Sequence, residues 1–296
     1  MIREDKTGML YLCATPIGNL EDVTLRVLRI LKEADVVAAE DTRQSIKLLN
    51  HYEIKTPLVS YHEHNKYEKT PVLVQRMLKG ETIALVTDAG TPAISDPGED
   101  LVRACYEAGI PVTSLPGPAA VITALTLSGM PARRFTFEGF LPVDKKERKE
   151  VLDRLAKTTC TTIFYEAPHR LKKTLALFSE LLGENHRIAI CKELTKKHET
   201  ALHFTLGEAV AYYEANEPKG EFVLVLEGKS AEDMNRAKQE KWQEMPLSKH
   251  MKIYEDKGLS RKEAMKAVAK DRGVSKREIS YFFHCLTFSP INADRS

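Results

Sequence analysis

The sequence predicts an α/β protein, with two α/β domains followed by a small helical domain. Across residues 9–229, short apolar runs alternate with segments whose apolar residues recur at helical spacing. Short buried runs of this kind are typical of mainly parallel strands that helices cover on both faces. A break at Pro116-Gly117-Pro118 divides this part of the chain, and two helix-capping sequences follow near its end. We therefore expect domains at residues 1–118, 119–229 and 246–296.

The first domain is expected to contain five strands. Apolar runs of four to six residues predict buried strands, whereas apolar residues three or four positions apart predict amphipathic helices. The expected strands are residues 9–14, 36–39, 57–61, 83–86 and 110–114. The expected helices are residues 42–51, 72–78 and 98–108, with another around Leu25, Leu28 and Leu31.

The second domain begins with an apolar helix that ends at Gly129, and the strand pattern then restarts. Its expected strands are residues 135–138, 162–166, 188–191, 203–205 and 222–227. Its expected helices are residues 119–127, 145–157, 169–182 and 207–214. We expect several of these strands to be antiparallel.

The C-terminal part predicts a basic helix-turn-helix. Residues 230–245 are polar and are expected to form a linker or an exposed helix. Two capping boxes follow, in which Ser260 precedes Glu263 and Ser275 precedes Glu278. Residues 229–296 contain 15 Lys and Arg against 10 Asp and Glu, although the whole chain carries only +2. This asymmetry favours a nucleic-acid partner.

Several protein classes are not expected from the composition. No apolar run approaches the roughly 20 residues of a membrane helix, and the charged N-terminus has no apolar region typical of a secretory signal. The five cysteines form no C-x-x-C pair and indicate free thiols in a reducing compartment. We expect a cytoplasmic protein that binds neither a membrane nor a metal ion.

The segment DAGTPAISDPG, residues 88–98, is the most informative one. It follows a buried strand and opens a helix, where ligands of open α/β sheets collect. It is neither a Walker A loop nor G-x-G-x-x-G, and a tight connection without a ligand is the alternative interpretation. Residues 15–19 and 40–43 leave strands in the same way. If the strands are parallel, the three loops share one crevice.

These loops resemble those of the tetrapyrrole methylase superfamily of S-adenosyl-L-methionine (AdoMet) enzymes, and within it the ribosomal RNA small subunit methyltransferase I family. The segments that carry the resemblance are TPIGN, AEDTR, SYHEHN, VTDAGTPAISDPG, PGPAA, FEGFLP and YEAPHR, within residues 9–228. TPIGN replaces the glycine-rich first loop of tetrapyrrole-modifying relatives, which agrees with the rRNA branch. The C-terminal helices resemble a small domain often appended to this family.

The resemblance implies two α/β domains with AdoMet in the cleft between them. It implies methyl transfer to the ribose 2′-oxygen of a cytidine in the decoding region of 16S rRNA, within the small ribosomal subunit, by a homodimer. The cofactor-binding residues that it implies are Pro16, Asp88, Ala89, Gly90, Thr91, Ile94, Ser95, Ala119, Ala120, Glu166 and Phe204.

A ribose hydroxyl is a weak nucleophile, so such an enzyme must align it and remove its proton. The candidate proton acceptors are Glu40, Asp41, His62, His64 and Glu166. Histidine suits neutral pH, and each histidine also has a purely structural interpretation, as does Asp41 as a helix cap. The candidate RNA-binding residues are Arg43, Asn65 and Arg170, with Tyr61 and Phe140 as platforms for a splayed base.

Two other functions remain open at this level. One is a methylase of a tetrapyrrole or similar small molecule, which gives no reason for the basic C-terminal helices. The other is a nucleic-acid-binding regulator whose body senses a ligand. Several polar loops converging on one cleft favour catalysis over that second alternative.

Overall fold

The computed structural model describes residues 7–230 and 242–287, with side chains up to residue 282. The chain forms two compact units. The larger comprises Met1–Ala156 and Cys160–Glu227, and the smaller comprises Lys157–Thr159 and Gly228–Ser296. None of the helices in the described ranges is both long and apolar enough to cross a membrane.

The first part of the larger unit is a five-stranded sheet in the order β3-β2-β4-β1-β5, and every neighbouring pair in it is parallel. Its strands are β1 (Leu10–Cys13), β2 (Val36–Ala39), β3 (Leu58–Ser60), β4 (Ile83–Val86) and β5 (Val112–Leu115). Its helices are α1 (Leu25–Glu33), α2 (Thr42–His51), α3 (Lys66–Leu78) and α4 (Gly98–Glu107), with a 3-10 turn at Leu20–Asp22.

Helices cover both faces of this sheet, as the apolar strands predict. On one face, Val27 and Leu31 of α1 and Leu49 of α2 pack against the sheet. On the other, Met77 of α3 and Leu101 of α4 do so. Because helices occupy both faces, the carboxyl edge of the sheet is the part that remains open to a ligand.

The second part is a mixed sheet in the order β6-β7-β10-β8-β9. The β6–β7 pair is parallel and the other pairs are antiparallel. Its strands are β6 (Phe135–Phe140), β7 (Thr161–Glu166), β8 (Arg187–Lys192), β9 (Thr200–Thr205) and β10 (Phe222–Leu226). Its helices are α5 (Ala120–Ser128), α6 (Lys145–Leu155), α7 (Pro168–Leu182) and α8 (Leu206–Ala215).

Helix α5 packs on one face of this mixed sheet, with Val121 and Leu125 beside Ile163 and Val225. Helices α6, α7 and α8 cover the opposite face. The expected mixture of parallel and antiparallel strands is therefore confirmed. The antiparallel pairing also places the first residue of β10, Phe222, beside the last residues of β7 and β8.

Helix α3 begins at Lys66, six residues before the start that the sequence predicts. Pro71 lies inside the helix, and the residue before a proline normally avoids helical angles. A contact with another helix stabilises this first turn, since the Lys66 ammonium lies 2.9 Å from the Asp100 carboxylate of α4. Such contacts between distant segments are invisible to a periodicity argument.

The smaller unit contains helices α9 (Leu247–Glu255), α10 (Arg261–Arg272) and α11 (Lys276–Thr287). Met251, Ala264, Val268 and Ile279 form its core. Both predicted capping boxes are present, with serine hydroxyls 2.6 and 2.7 Å from the carboxylates of Glu263 and Glu278. Most of the predicted linker, residues 231–241, lies outside the described residues, as do residues 288–296.

Candidate active site

Three loops at the carboxyl edge of the parallel sheet are hydrogen-bonded to one another. Thr15 and Gly90 exchange backbone bonds of 2.9 and 3.0 Å. The Thr15 hydroxyl donates to the Thr87 carbonyl at 3.1 Å, and the Thr91 hydroxyl donates to the Pro118 carbonyl at 3.0 Å. The loops that follow β1, β4 and β5 therefore form one continuous wall.

The loop after β4 has an unusual backbone. Gly90 has a φ of 89°, and the non-glycine residues Ala93 and Ser95 have φ values of 66° and 65°. Such left-handed residues are strained and cluster at functional sites. The carboxylate of Asp96 holds this conformation by accepting from the backbone N–H groups of Ile94 at 3.1 Å and Gly98 at 2.8 Å.

This wall faces a cavity of about 520 Å³ within the larger unit. Its lining combines apolar and acidic side chains from both sheets. Those that follow strands of the parallel sheet are Ile17, Glu40, Thr87, Asp88, Ala89, Ile94, Ser95 and Asp96. Those from the second part are Ala120, Phe140, Tyr165, Glu166, Ala167, Pro168, Leu194, Glu221, Phe222 and Val223. The volume suits a ligand of nucleoside size.

Two acidic residues lie side by side in this lining. Glu40 accepts from the Thr87 hydroxyl at 2.7 Å, and one oxygen of Asp88 accepts from the Asp41 N–H at 3.0 Å. Although Asp88 is exposed to the cavity, partial burial and the charges of Glu40 and Asp41 raise the pKa of its carboxyl. Its second oxygen has no hydrogen-bond partner among the described residues, so Asp88 has capacity for a ligand.

Glu166 is a second kind of carboxylate, buried at the end of β7. It accepts from the Ala167 N–H at 2.8 Å and from the Thr174 hydroxyl at 2.6 Å. Arg170 pairs with it at 3.5 Å and also donates to the Leu141 carbonyl. Glu166 and Arg170 thus hold the edge of the second sheet together, and Arg170 does not line the cavity.

Asp41 caps helix α2 rather than lining the cavity. Its carboxylate accepts from the backbone N–H of Arg43 at 2.8 Å and from the Arg43 guanidinium at 2.8 and 3.0 Å. These bonds lower the pKa of Asp41 to about 2. A carboxylate so stabilised is a weak proton acceptor. The Arg43 side chain is 87% exposed and available to a large ligand.

The SYHEHN segment folds around Asn65, which accepts from the His62 N–H at 2.9 Å and donates to the Ser60 hydroxyl at 3.1 Å. His62 and His64 lie 6.0 Å apart between ring centroids. His64 is exposed, and neither histidine nor Asn65 lines the cavity. The Tyr61 ring is 1% exposed, so the prediction that it stacks a base is wrong.

The expected cofactor-binding residues divide into three groups. Asp88, Ala89, Ile94, Ser95, Ala120 and Glu166 line the cavity. Pro16, Gly90, Thr91 and Ala119 belong to the surrounding loops and do not line it. The prediction that Phe204 binds the cofactor is wrong. Phe204 lies on β9 with its ring centroid 5.3 Å from that of Tyr212, in the cluster that α6, α7 and α8 cover.

Sequence reasoning missed several lining residues of the second sheet, among them Tyr165, Leu194, Glu221 and Val223. Leu194 follows β8, whereas Glu221 and Val223 lie at the beginning of β10. They meet because β10 is antiparallel to β7 and β8. Knowledge of this pairing would have identified these lining residues. The pattern of apolar residues predicts the strands but does not tell which strands pair.

Comparison with known proteins identifies the family. Residues 9–210 match the tetrapyrrole (corrin/porphyrin) methylase family. The chain is 51% identical to ribosomal RNA small subunit methyltransferase I of Halalkalibacterium halodurans, over 95% of this chain and 96% of that protein. The chain belongs to this methyltransferase family. Its counterpart in Bacillus subtilis is 47% identical over 94% of each chain.

A solved structure supports the same fold. Uroporphyrin-III C-methyltransferase from Thermus thermophilus, complexed with S-adenosyl homocysteine, matches with a TM-score of 0.52 over 74% of this chain and 97% of that one. Sequence identity is 20%, so this likeness concerns the fold alone. The predicted tetrapyrrole methylase fold is confirmed.

Proposed function

We propose that this protein uses AdoMet to methylate the ribose 2′-oxygen of a cytidine in the decoding region of 16S rRNA. One observation carries the proposal. A cavity with acidic and apolar walls lies at the carboxyl edge of the parallel sheet, in a chain about half identical to proteins named ribosomal RNA small subunit methyltransferase I. We propose that the small ribosomal subunit is its partner. We also propose that the protein acts in the cytoplasm as a homodimer.

The cavity fits AdoMet chemically. AdoMet, when bound, supplies a methyl group already activated by a positively charged sulfonium. Glu40 and Asp88 provide negative charge on one wall, which favours a cation. Ile17, Ile94 and Leu194 provide apolar surface for the faces of an adenine. The open backbone of the loop after β4 supplies polar groups that fix orientation.

Asp88 is our proposed acceptor for the hydroxyl proton. It faces the cavity, has one oxygen without a partner among the described residues, and has a raised pKa. Asp41 is the weaker candidate because its oxygens are occupied by Arg43. Glu166 is occupied by Thr174 and Ala167. Proximity of an ionised carboxylate to the hydroxyl lowers the barrier to proton removal.

The test is a transfer assay with methyl-labelled AdoMet. The full chain is offered assembled small subunits, naked small-subunit rRNA and uroporphyrinogen III in parallel. The proposal predicts label in RNA and none in the tetrapyrrole. Label in the tetrapyrrole alone would favour a small-molecule methylase. AdoMet binding without any transfer would favour the regulator.

A further inference from the structure

Strand β6 contains a bulge that changes the direction of Phe140. Phe137 pairs with Ile163 and Phe140 pairs with Tyr165, with an irregularity between Phe137 and Gly139. Ile163 and Tyr165 are two residues apart and therefore share a face of the sheet. Phe140 consequently lies on the same face as Phe137, although three positions separate them. Without the extra residue it would lie on the opposite face, and bulges beside active sites commonly re-aim side chains in this way.

The redirected Phe140 lines the cavity and remains open to solvent. Its ring lies 5.8 Å from that of Tyr165, which in turn lies 4.8 Å from that of Phe137. Phe140 is nevertheless 53% exposed, and Ile94 on the facing loop is 42% exposed. Large apolar side chains left exposed together at a cavity mark a ligand surface.

Residues 141–150, which follow Phe140, contain four Lys and Arg against three Asp and Glu, and two of the lysines lie at the start of α6. Val143 is 78% exposed, and Lys145 and Lys146 are exposed at the start of α6. Neither lysine has an ion-pair partner among the described residues. An aromatic ring followed by free cations matches a strand of RNA, whose bases stack on rings and whose phosphates attract lysine.

We propose that Phe140 is the platform on which the base of the target nucleotide stacks once it is unpaired. This inference rests on the proposed function and names the part of the RNA that the site recognises. Phe140 and Asp88 line the same cavity, so a base stacked on Phe140 keeps its ribose at the cavity that contains the proposed proton acceptor. Stacking of unpaired bases on aromatic side chains is the usual route to reading single-stranded RNA.

The first test measures the Kd of the full-length protein for small-subunit rRNA in the presence of S-adenosylhomocysteine. Phe140→Ala is expected to raise this Kd by about 5- to 150-fold, the range for loss of one base stack, and to change the Kd for AdoMet far less. Phe140→Tyr should restore binding. Phe135→Ala is the matched control, since Phe135 lies on the same strand, is 39% exposed and does not line the cavity.

The second test uses rRNA assembled with a synthetic segment in which the methylated nucleotide keeps its ribose and lacks its base. Wild type and Phe140→Ala should bind this RNA equally, because the stacking partner is gone from both. Equal Kd values on unmodified RNA would overturn this inference alone, as would an equal loss of AdoMet affinity. Absence of any RNA methylation by the wild type would overturn the proposed function together with it.

Discussion

Asp88 and Glu166 both line the cavity, but the hydrogen-bond partners and burial of their carboxylates differ. Asp88 has one oxygen available and a raised pKa. Glu166 is buried, with both oxygens holding donors of the second sheet. Environment rather than residue type thus distinguishes the proposed proton acceptor from the carboxylate that anchors the second sheet.

Asp88→Asn tests the acceptor role. The amide still accepts from the Asp41 N–H and cannot take up the hydroxyl proton. We expect kcat to fall by about 10²- to 10⁴-fold, measured at AdoMet concentrations that saturate each protein, because Asp88 also contributes to the negative wall that favours the sulfonium. Because Asp88 must be ionised to act, wild-type kcat should fall as the pH drops through its raised pKa, and the variant should lack that limb. Asp41→Asn is the control, and unchanged kcat in Asp88→Asn would transfer the role to Glu40.

Glu166→Ala tests the anchor role. Its removal leaves the Thr174 hydroxyl and the Ala167 N–H without their acceptor. We expect the free energy of unfolding to fall by about 1–3 kcal/mol, and by less in Glu166→Gln, as measured by urea denaturation. The exposed Glu217 pairs with Lys172 at 3.2 Å, and Glu217→Ala should cost under about 1 kcal/mol. Equal losses in Glu166→Ala and Glu217→Ala would contradict the assignment.

At the residue scale, the sequence identified the loops of the site better than the side chains that face the cavity. Asp88, Ile94 and Ser95 follow from the motif and line the cavity. Tyr61 and Asp41 also come from motifs that the sequence singled out. However, Tyr61 is buried and Asp41 caps a helix. The direction of a side chain depends on contacts between distant segments, which a local pattern does not contain.

At the element scale, the bulge in β6 is the feature that brings Phe140 to the cavity. Gly139 has a φ of 66°, and a Cβ there would meet only the Ser95 hydroxyl, at an ordinary 3.4 Å. Gly139→Ala should therefore lower the free energy of unfolding through backbone strain, by about 1–2 kcal/mol. Gly139→Asn should cost less, because asparagine tolerates the left-handed region. Thermal unfolding that shows no loss in Gly139→Ala would contradict the strained bulge.

The regular elements were largely predictable, since their apolar residues follow periods of two or 3.6. Strands β2 and β4 and helix α2 begin and end where the pattern predicts. The bulge in β6 was not predictable, because one extra residue in a strand leaves no clear break in its pattern of apolar residues. Antiparallel strands were expected in this sheet but could not be assigned to β10, because strand order depends on the packing of the whole sheet.

At the scale of the whole molecule, the smaller unit has its own cluster of aromatic and charged residues around a histidine. In the smaller unit, His250 is fully buried and stacks 4.0 Å from Trp242. It faces Asp271 at 3.2 Å and accepts from Arg272 at 3.2 Å, and Tyr254 also donates to Asp271. Burial outweighs the Asp271 carboxylate and lowers the pKa of His250, with Arg272 adding to the decrease.

This arrangement predicts acid sensitivity of the smaller unit. A histidine with a lowered folded pKa contributes stability that is complete above its unfolded value of about 6.5 and is lost as the pH falls below it. Trp242 is the only tryptophan in the chain, so its fluorescence in the full-length protein reports on this unit. The unfolding midpoint should drop between pH 7.5 and 5.5. His250→Phe should remove that dependence and the exposed His198→Ala should not, whereas a pH-dependent midpoint in His250→Phe would contradict the assignment.

Alkaline hydrolysis of the labelled rRNA distinguishes methylation of a ribose from methylation of a base. A methylated 2′-oxygen cannot attack the neighbouring phosphate, so alkali leaves the modified nucleotide within a dinucleotide. The proposed 2′-O-methylation predicts that methyl label from AdoMet appears in an alkali-stable dinucleotide that begins with cytidine, and that Asp88→Asn loses this product. Label released in a mononucleotide would indicate methylation of a base and would contradict 2′-O-methylation.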